Sequence, residues 1–482
     1  MNRRALLGLL AGGAAGWMWT DLSTEPPLRG LTPRPDLPWS PLLRTADELD
    51  LVAPIEGRLP EVLRGRLYRN GPGRFERGGA WKRTLLEGDG LVQAFHLANG
   101  EVRYRSRFVR TTKLEAEERA GRFLSATLGT QAPGGAWRNV GGLNVGYPAS
   151  VTVLPDGADL LAFDEPGRPY RLDPETLATR GPTDLGQPGA VYNAHAKRVG
   201  DDLMLFGMEY GPINRVHLTA VRGGVALWHR TFDTVEAHFV HDWFVTPRWC
   251  VVLLQPVIAW AYPFLAGRTS LLSCLQWWPH LGTPILLVPR DGVGPPTWIH
   301  HDPVFFLHAL GAAERGGELV LDLLRYPSPD AFFGPAIQLA ELAQRDPGRT
   351  AVSQGSRWIL DPARGTARDE ALPLRDCEMP VRAGDGHLTL TGSTGPVFYH
   401  AVARVRPDEG VADRFDFGSD VILSEPASTG QGYALVEAYD ARRGVTGLHV
   451  LDEARLSDGP VASAWLDRPV YPGIHGCWVP HA

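Results

Sequence analysis

Short apolar runs, many of them alternating with polar positions, recur along the whole chain and are broken repeatedly by turn formers. LVLDLLRY (319–326), HLTLTG (387–392) and YALVEAYD (433–440) are examples. Alternation with period two sends successive side chains to opposite faces, so the pattern predicts β-strands joined by tight turns. No fixed sequence period accompanies the runs. Helical spacing is rare: TKLEAEERAG near residue 112 and PAIQLAELAQ near residue 335 each carry charged or amide groups on one face and predict two short helices.

Composition agrees with a large β protein. Glycine (55) and proline (41) make up about a fifth of the 482 residues, enough to punctuate many strands but below a disordered composition. A net charge of −6 and the absence of a basic stripe with interleaved aromatics argue against a nucleic-acid partner. The four cysteines, Cys250, Cys274, Cys377 and Cys477, show neither zinc-ribbon spacing nor a clear disulfide framework. G-x-S-x-G, Walker A, H-E-x-x-H and a helix-opening G-x-G-x-x-G are all missing. Glu87 and Asp89 in EGDG lack the alternating carboxylates of an EF-hand loop, and a hairpin turn is expected there.

The candidate chemistry lies in four histidines in four separate apolar stretches: His195 in NAHAK, His241 in FVHDWFVT, His308 in FFLHALGA and His475 in GIHGCWVP. Each stretch reads as a strand or strand end, so four imidazoles would project from four strands. A thiolate-free nitrogen set suits Fe(II), Cu or Zn better than Mg or Ca. Taken singly, each could equally be a satisfied core histidine.

Those segments, with GRLPEVLRGRLYRNGPGRF (57–75), LLEGDGLVQAFHL (85–97), RFVRTTK (107–113), YRLDPETL (170–177), LQWWPHLGTPILLVPRDG (275–292) and VLDEARL (450–456), resemble the carotenoid cleavage oxygenase family along nearly the whole chain after residue 50. The resemblance implies an all-β fold, a seven-bladed β-propeller with a loop and helix dome over its metal-bearing face. It also implies one Fe(2+) per chain, held by His195, His241, His308 and His475 and backed by three glutamates. His300, His301 and His238 are decoys; the acidic residue that follows, Glu314, selects His308, and the following Asp-Trp selects His241. Glu165 and Glu378 fall where the family has its first two glutamates. Glu425 is the choice for the third, with Asp420 as the alternative under a shifted register. Gly311 stands where the family has Asn.

Beyond the metal ligands no catalytic acid or base is expected. The implied reaction is scission of a conjugated C=C bond of a carotenoid or apocarotenoid by O2, giving two carbonyl products. Two alternatives are a lignostilbene-type dioxygenase, for which the lysine near the phenol is not found in VTVLPDGADLLAFDE, and a metal-free propeller acting as a lipid-binding module. Within the enzyme class an isomerohydrolase is a further alternative.

Arg3 and Arg4 before an apolar stretch make residues 1–30 read as a twin-arginine export signal, or alternatively an uncleaved membrane anchor. A Pro-rich spacer is expected over 31–50 and a single domain over 51–482. The apolar segment 257–278 is broken by Pro263 and hydrated at Gly267–Ser270, which suits peripheral membrane contact, or burial in the dome, better than a crossing. Oligomeric state is not legible.

Overall fold

Strands of this protein fall into two kinds that differ in burial. Asp202–Glu209 (DLMLFGME) and Glu318–Tyr326 (ELVLDLLRY) are buried on both faces, whereas Val225–Thr234 and Thr366–Arg375 expose much of their length. A run apolar on both faces is what a strand sandwiched between two sheets requires; a strand at a sheet's outer edge keeps polar positions. The computed structural model describes residues 23–139, 144–346, 348, 352–393 and 398–481.

Seven antiparallel sheets form the body. Blade 1 joins both ends of the chain: His475–Pro480 pairs with Gly65–Arg74, followed by Asp89–Ala98, Glu101–Phe108 and Asp50–Ala53. Blades 2 to 6 are four-stranded and occupy 152–182, 197–234, 244–301, 305–375 and 378–416 in turn. Blade 7 spans 421–465 and takes Ile55–Gly57 as its outermost strand.

Consecutive blades meet through separate apolar clusters. Leu161 and Phe163 of blade 2 pack on Leu203 and Leu205 of blade 3, and Phe206 and Met208 of blade 3 pack on Val252 and Leu286 of blade 4. The series ends with Leu435, Leu448 and Val450 of blade 7 against Leu67, Leu91 and Phe95 of blade 1. The other interfaces are built the same way. Burying one such side chain contributes roughly 1.5–3 kcal/mol, so each blade depends on both neighbours. Sheets packed in succession, the last on the first, make a seven-bladed β-propeller.

Inserted segments build the dome. The helix Thr112–Ala120 starts where Thr111 accepts the Leu114 N–H and stops at Gly121, whose φ of 62° is the left-handed value a C-terminal glycine supplies. Its inward face is charged: Lys113 lies 2.6 Å from Asp89 and 3.1 Å from Glu117, all three buried. EGDG is therefore not a plain hairpin turn; Glu87 closes a 3-10 turn, Asp89 opens a strand, and both carboxylates are buried among Lys82, Lys113, Thr84 and Thr127. The second expected helix breaks into Pro335–Ile337 and Leu339–Leu342, because Gln338 between them is extended.

Segment 257–278 folds as two paired strands, Val257–Ala259 and Leu275–Trp277, around short helical turns, with Phe264 and Cys274 buried against Ala126 and Ala132. Trp260, Tyr262 and Leu265 remain exposed. No helix among the described residues is long and apolar enough to cross a membrane. Most of the expected signal lies outside the described residues. From Thr24 onward the chain is pinned: Thr24 N–H donates to the Arg268 carbonyl at 2.8 Å, Leu28–Arg29 pairs with Ala80–Trp81, and Trp39 Nε1 donates to the Leu342 carbonyl at 2.7 Å.

Candidate metal centre

Every blade sends one of the seven singled-out residues toward a common point. His195 and His241 stand just before the innermost strands of blades 3 and 4; His308 lies within that of blade 5, and His475 opens that of blade 1. Glu165 follows a strand of blade 2, Glu378 opens the innermost strand of blade 6, and Glu425 sits between two short inner strands of blade 7. The Nε2 atoms of His195 and His241 are 3.0 Å apart, those of His241 and His308 3.3 Å, and those of His308 and His475 3.2 Å. One nitrogen from each of the four rings lies within 4.8 Å of the rest.

Behind three of the rings stands a carboxylate. Glu165 Oε2 is 2.8 Å from His241 Nδ1, Glu425 Oε1 is 3.0 Å from His475 Nδ1, and Glu378 Oε2 meets His308 Nδ1. An ionised carboxylate can only accept, so each Nδ1 carries the proton and each Nε2 turns a lone pair inward. Burial opposes the charge on Glu378 and Glu425, but the adjacent His308 and His475 outweigh it and hold both carboxyls below the usual range. Burial, aided by the three crowding rings, holds His195 well below the ordinary imidazole value; at His308 burial is outweighed by Glu378, which lifts it.

Lone pairs converging at this spacing repel unless a cation lies among them. Nitrogens about 2.1 Å from one ion and at right angles would stand about 3.0 Å apart, which the observed separations approach. The donor set fits a transition metal.

Asp242, Asn193 and Trp243, beside the histidines, brace the geometry. Asp242 accepts the N–H groups of Trp243 (2.8 Å) and Ala309 (2.9 Å) and lies 2.7 Å from Lys197 Nζ, tying together the segments that carry His241, His308 and His195. Asn193 donates to the Val240 carbonyl at 2.9 Å, and Trp243 Nε1 to that of His195 at 2.7 Å. The HDW segment thus braces the histidine cluster as well as contributing His241 to it.

The other residues weighed lie apart. His238 Nδ1 is bound to the Gln255 carbonyl, His300 Nε2 to that of Leu281, and His301 faces Asp369 at 3.3 Å. Glu314 holds Thr246 and Arg248. Asp420 is half-exposed beside Arg442. A Cβ at Gly311 would make ordinary contact with the buried His387, whose Nε2 is 3.5 Å away, and nothing in the structure explains the glycine there.

An aromatic wall flanks the cluster. Phe239 stacks on His241 with ring centroids 6.4 Å apart, and Phe305, Tyr326 and Phe333 continue the surface with Val257 and Leu307. Such a wall suits an apolar, conjugated ligand.

A family model described as "Retinal pigment epithelial membrane protein" matches residues 41–480. The chain belongs to that family. Similar members are the apocarotenoid-15,15'-oxygenase of Synechocystis sp. (28% identical, covering 89% of this chain and 92% of the relative) and the isoeugenol monooxygenase of Pseudomonas nitroreducens (27%, covering 91% and 97%). The crystal structure of cobalt-substituted Synechocystis ACO superposes with a TM-score of 0.82 over 92% of this chain and 98% of that one, at 26% identity. These named relatives are oxygenases, one of them solved with cobalt in place, and the four-histidine cluster of this chain could hold a metal ion.

Proposed function

We propose that the protein is a non-haem Fe(II) dioxygenase that cleaves a conjugated C=C bond of a carotenoid or apocarotenoid with O2, giving two carbonyl products. The observation that carries this reading is the convergence of four imidazole Nε2 atoms beside an apolar aromatic wall. Ferrous iron, when bound, supplies the electron density that triplet dioxygen needs to attack a closed-shell alkene. His195, His241, His308 and His475 hold the ion, while Glu165, Glu378 and Glu425 fix the tautomers of three of them. Phe239 and Phe333, the partly open rings beside the cluster, would meet the polyene and exclude water, with Phe305 packed behind them. No residue is assigned as acid or base, since the cleavage requires no proton transfer.

Resemblance to the isoeugenol enzyme favours a second substrate class, a phenolic alkene such as a propenylphenol or hydroxystilbene. Incubation under ¹⁸O2 with apocarotenals, isoeugenol and hydroxystilbenes separates the two. Labelled aldehydes from the polyenes support the first reading, aldehydes from phenolic alkenes alone replace it with the second, and consumption of neither removes both. Stoichiometric iron after anaerobic purification distinguishes an enzyme from a lipid-binding module.

We further propose export by the twin-arginine segment and peripheral membrane contact through 257–278, supported by the exposed Trp260, Tyr262 and Leu265. Vesicle flotation that is unchanged when these three are replaced by serine would remove the contact. An unprocessed, cytoplasmic product would remove the export.

A further inference from the structure

We infer that Arg69 is a positioning residue of the metal centre: it acts through Glu425 on His475, and its permanent charge completes the charge balance around a divalent ion. This rests on reading the cluster as a metal centre.

The three carboxylates behind the histidines are held by different partners. Glu165 keeps Oε1 buried with no donor on it. Glu378 receives neutral donors, the Tyr326 hydroxyl at 2.8 Å and the Met379 N–H at 2.9 Å. Glu425 alone faces a cation. Arg69 Nη1 lies 3.3 Å from Glu425 Oε2, and Nη2 donates to the carbonyl of the same residue at 2.5 Å, so one guanidinium grips both side chain and backbone.

Arg69 is fully buried, and a guanidinium is placed there only against matching negative charge. A second carboxylate, Glu437, is also fully buried near it and accepts the Gly473 N–H at 2.9 Å. Burial pushes Glu437 up to about 7, so near neutral pH it is only a partial counter-charge, and Glu425 is the main one.

The pairing extends to the ligand strand. Gly476 is the register partner of Arg69 and donates its N–H to Glu425 Oε2 at 3.2 Å, while Ile474 N–H donates to the Asn70 carbonyl at 2.7 Å. The backbone on each side of His475 is therefore fixed by Arg69, its strand neighbour and its carboxylate. Four neutral imidazoles, a divalent ion and three carboxylates would leave one net negative charge in a buried site; the guanidinium cancels it.

The test uses full-length protein, wild type and the variants Arg69→Met, Arg69→Lys, Glu425→Gln and Arg69→Met/Glu425→Gln, loaded with ferrous iron under anaerobic conditions. Iron dissociation constants and the Fe(III)/Fe(II) midpoint potential are measured. Arg69→Met is expected to weaken iron binding 10- to 100-fold, as loss of an outer partner of a metal site does, and to lower the potential because a positive charge is lost. Arg69→Lys should restore the potential toward wild type. The double variant removes both members of the Arg69–Glu425 pair, leaving only Glu437, which can take up a proton, and covers the case in which Arg69→Met does not fold; its iron affinity should equal that of Glu425→Gln alone. Wild-type affinity and potential in Arg69→Met, or a double variant a further tenfold weaker than Glu425→Gln, would overturn the role of Arg69. Wild-type protein that takes up no iron would instead remove the metal reading beneath it.

Discussion

His308 and His475 are buried, whereas His195 and His241 are partly open. The buried pair stands on carboxylates whose oxygens are saturated by further donors: Tyr326 and Met379 behind Glu378, Arg69 and Gly476 behind Glu425. In the open pair Glu165 keeps one oxygen without a donor, and among the described residues no carboxylate is hydrogen-bonded to the His195 ring. One half of the cluster is built as an anchor. The other, with Phe239 stacked on His241, is the side that small molecules can approach.

The strongest way to break this division is to remove a ring from each half. His308→Ala leaves Glu378 buried and unpaired, so it should abolish iron retention and activity and also destabilise the fold by about 3–5 kcal/mol. His241→Ala should lose iron as well but cost the fold less, about 1–3 kcal/mol, because the half-buried Glu165 side chain gains water through the space the ring leaves. His301→Ala should keep its iron. Metal analysis and urea denaturation give both readouts; equal stability losses at His308 and His241 would end the distinction between the halves.

Replacing carboxylates asks the same question more gently. Glu378→Gln is expected to weaken iron binding about 100-fold and Glu165→Gln about 10-fold, the upper and lower ends of the range for such partners. The reverse order would make the open half the anchor.

Protons give a third comparison. In iron-free protein His308 is raised by Glu378 and His195 is lowered by burial. The contribution of His308 to stability is therefore complete below the unfolded value near 6.5 and lost as pH rises through its folded value; that of His195 is present above about 6.5 and lost as pH falls through its folded value. Metal needs the neutral ring, so iron affinity should fall about tenfold per pH unit below the folded value of His308. Histidine NMR titration of the iron-free protein should show His308 titrating above His195; the opposite order would refute the assignment.

Much of the site was legible because the clustered histidines sit in short motifs at or near strand starts, where local sequence and geometry coincide. The choice between Glu425 and Asp420 was not, since five residues decide whether a carboxylate meets His475 or Arg442 at the surface, and only packing between blades 7 and 1 settles it. Arg69 and Tyr326 were invisible for the same reason, and Asp242 was read only as a marker of His241: Arg69 meets Glu425 across 356 positions of chain. The strands were readable from apolar runs, yet the two-sided burial of central strands carries no period that could give the number of blades. The helix expected near residue 335 failed because its apolar residues, Ile337, Leu339 and Leu342, are buried through separate short turns.

Tyr326 offers the finest probe, because it belongs to both halves: its ring lies in the aromatic wall with Phe305, and its hydroxyl donates to Glu378 Oε1 at 2.8 Å. Tyr326→Phe keeps the wall and removes only the donor. A buried acceptor left without its partner costs about 1–3 kcal/mol, so stability should fall by that amount, with a loss of iron affinity of only a few-fold because Met379 N–H still holds the other oxygen of Glu378. If the hydroxyl serves the anchor alone, KM for the polyene should stay at the wild-type value. A rise in KM with unchanged iron affinity would show that the wall, rather than the carboxylate, is what Tyr326 supports, and would move it from the buried half to the open one.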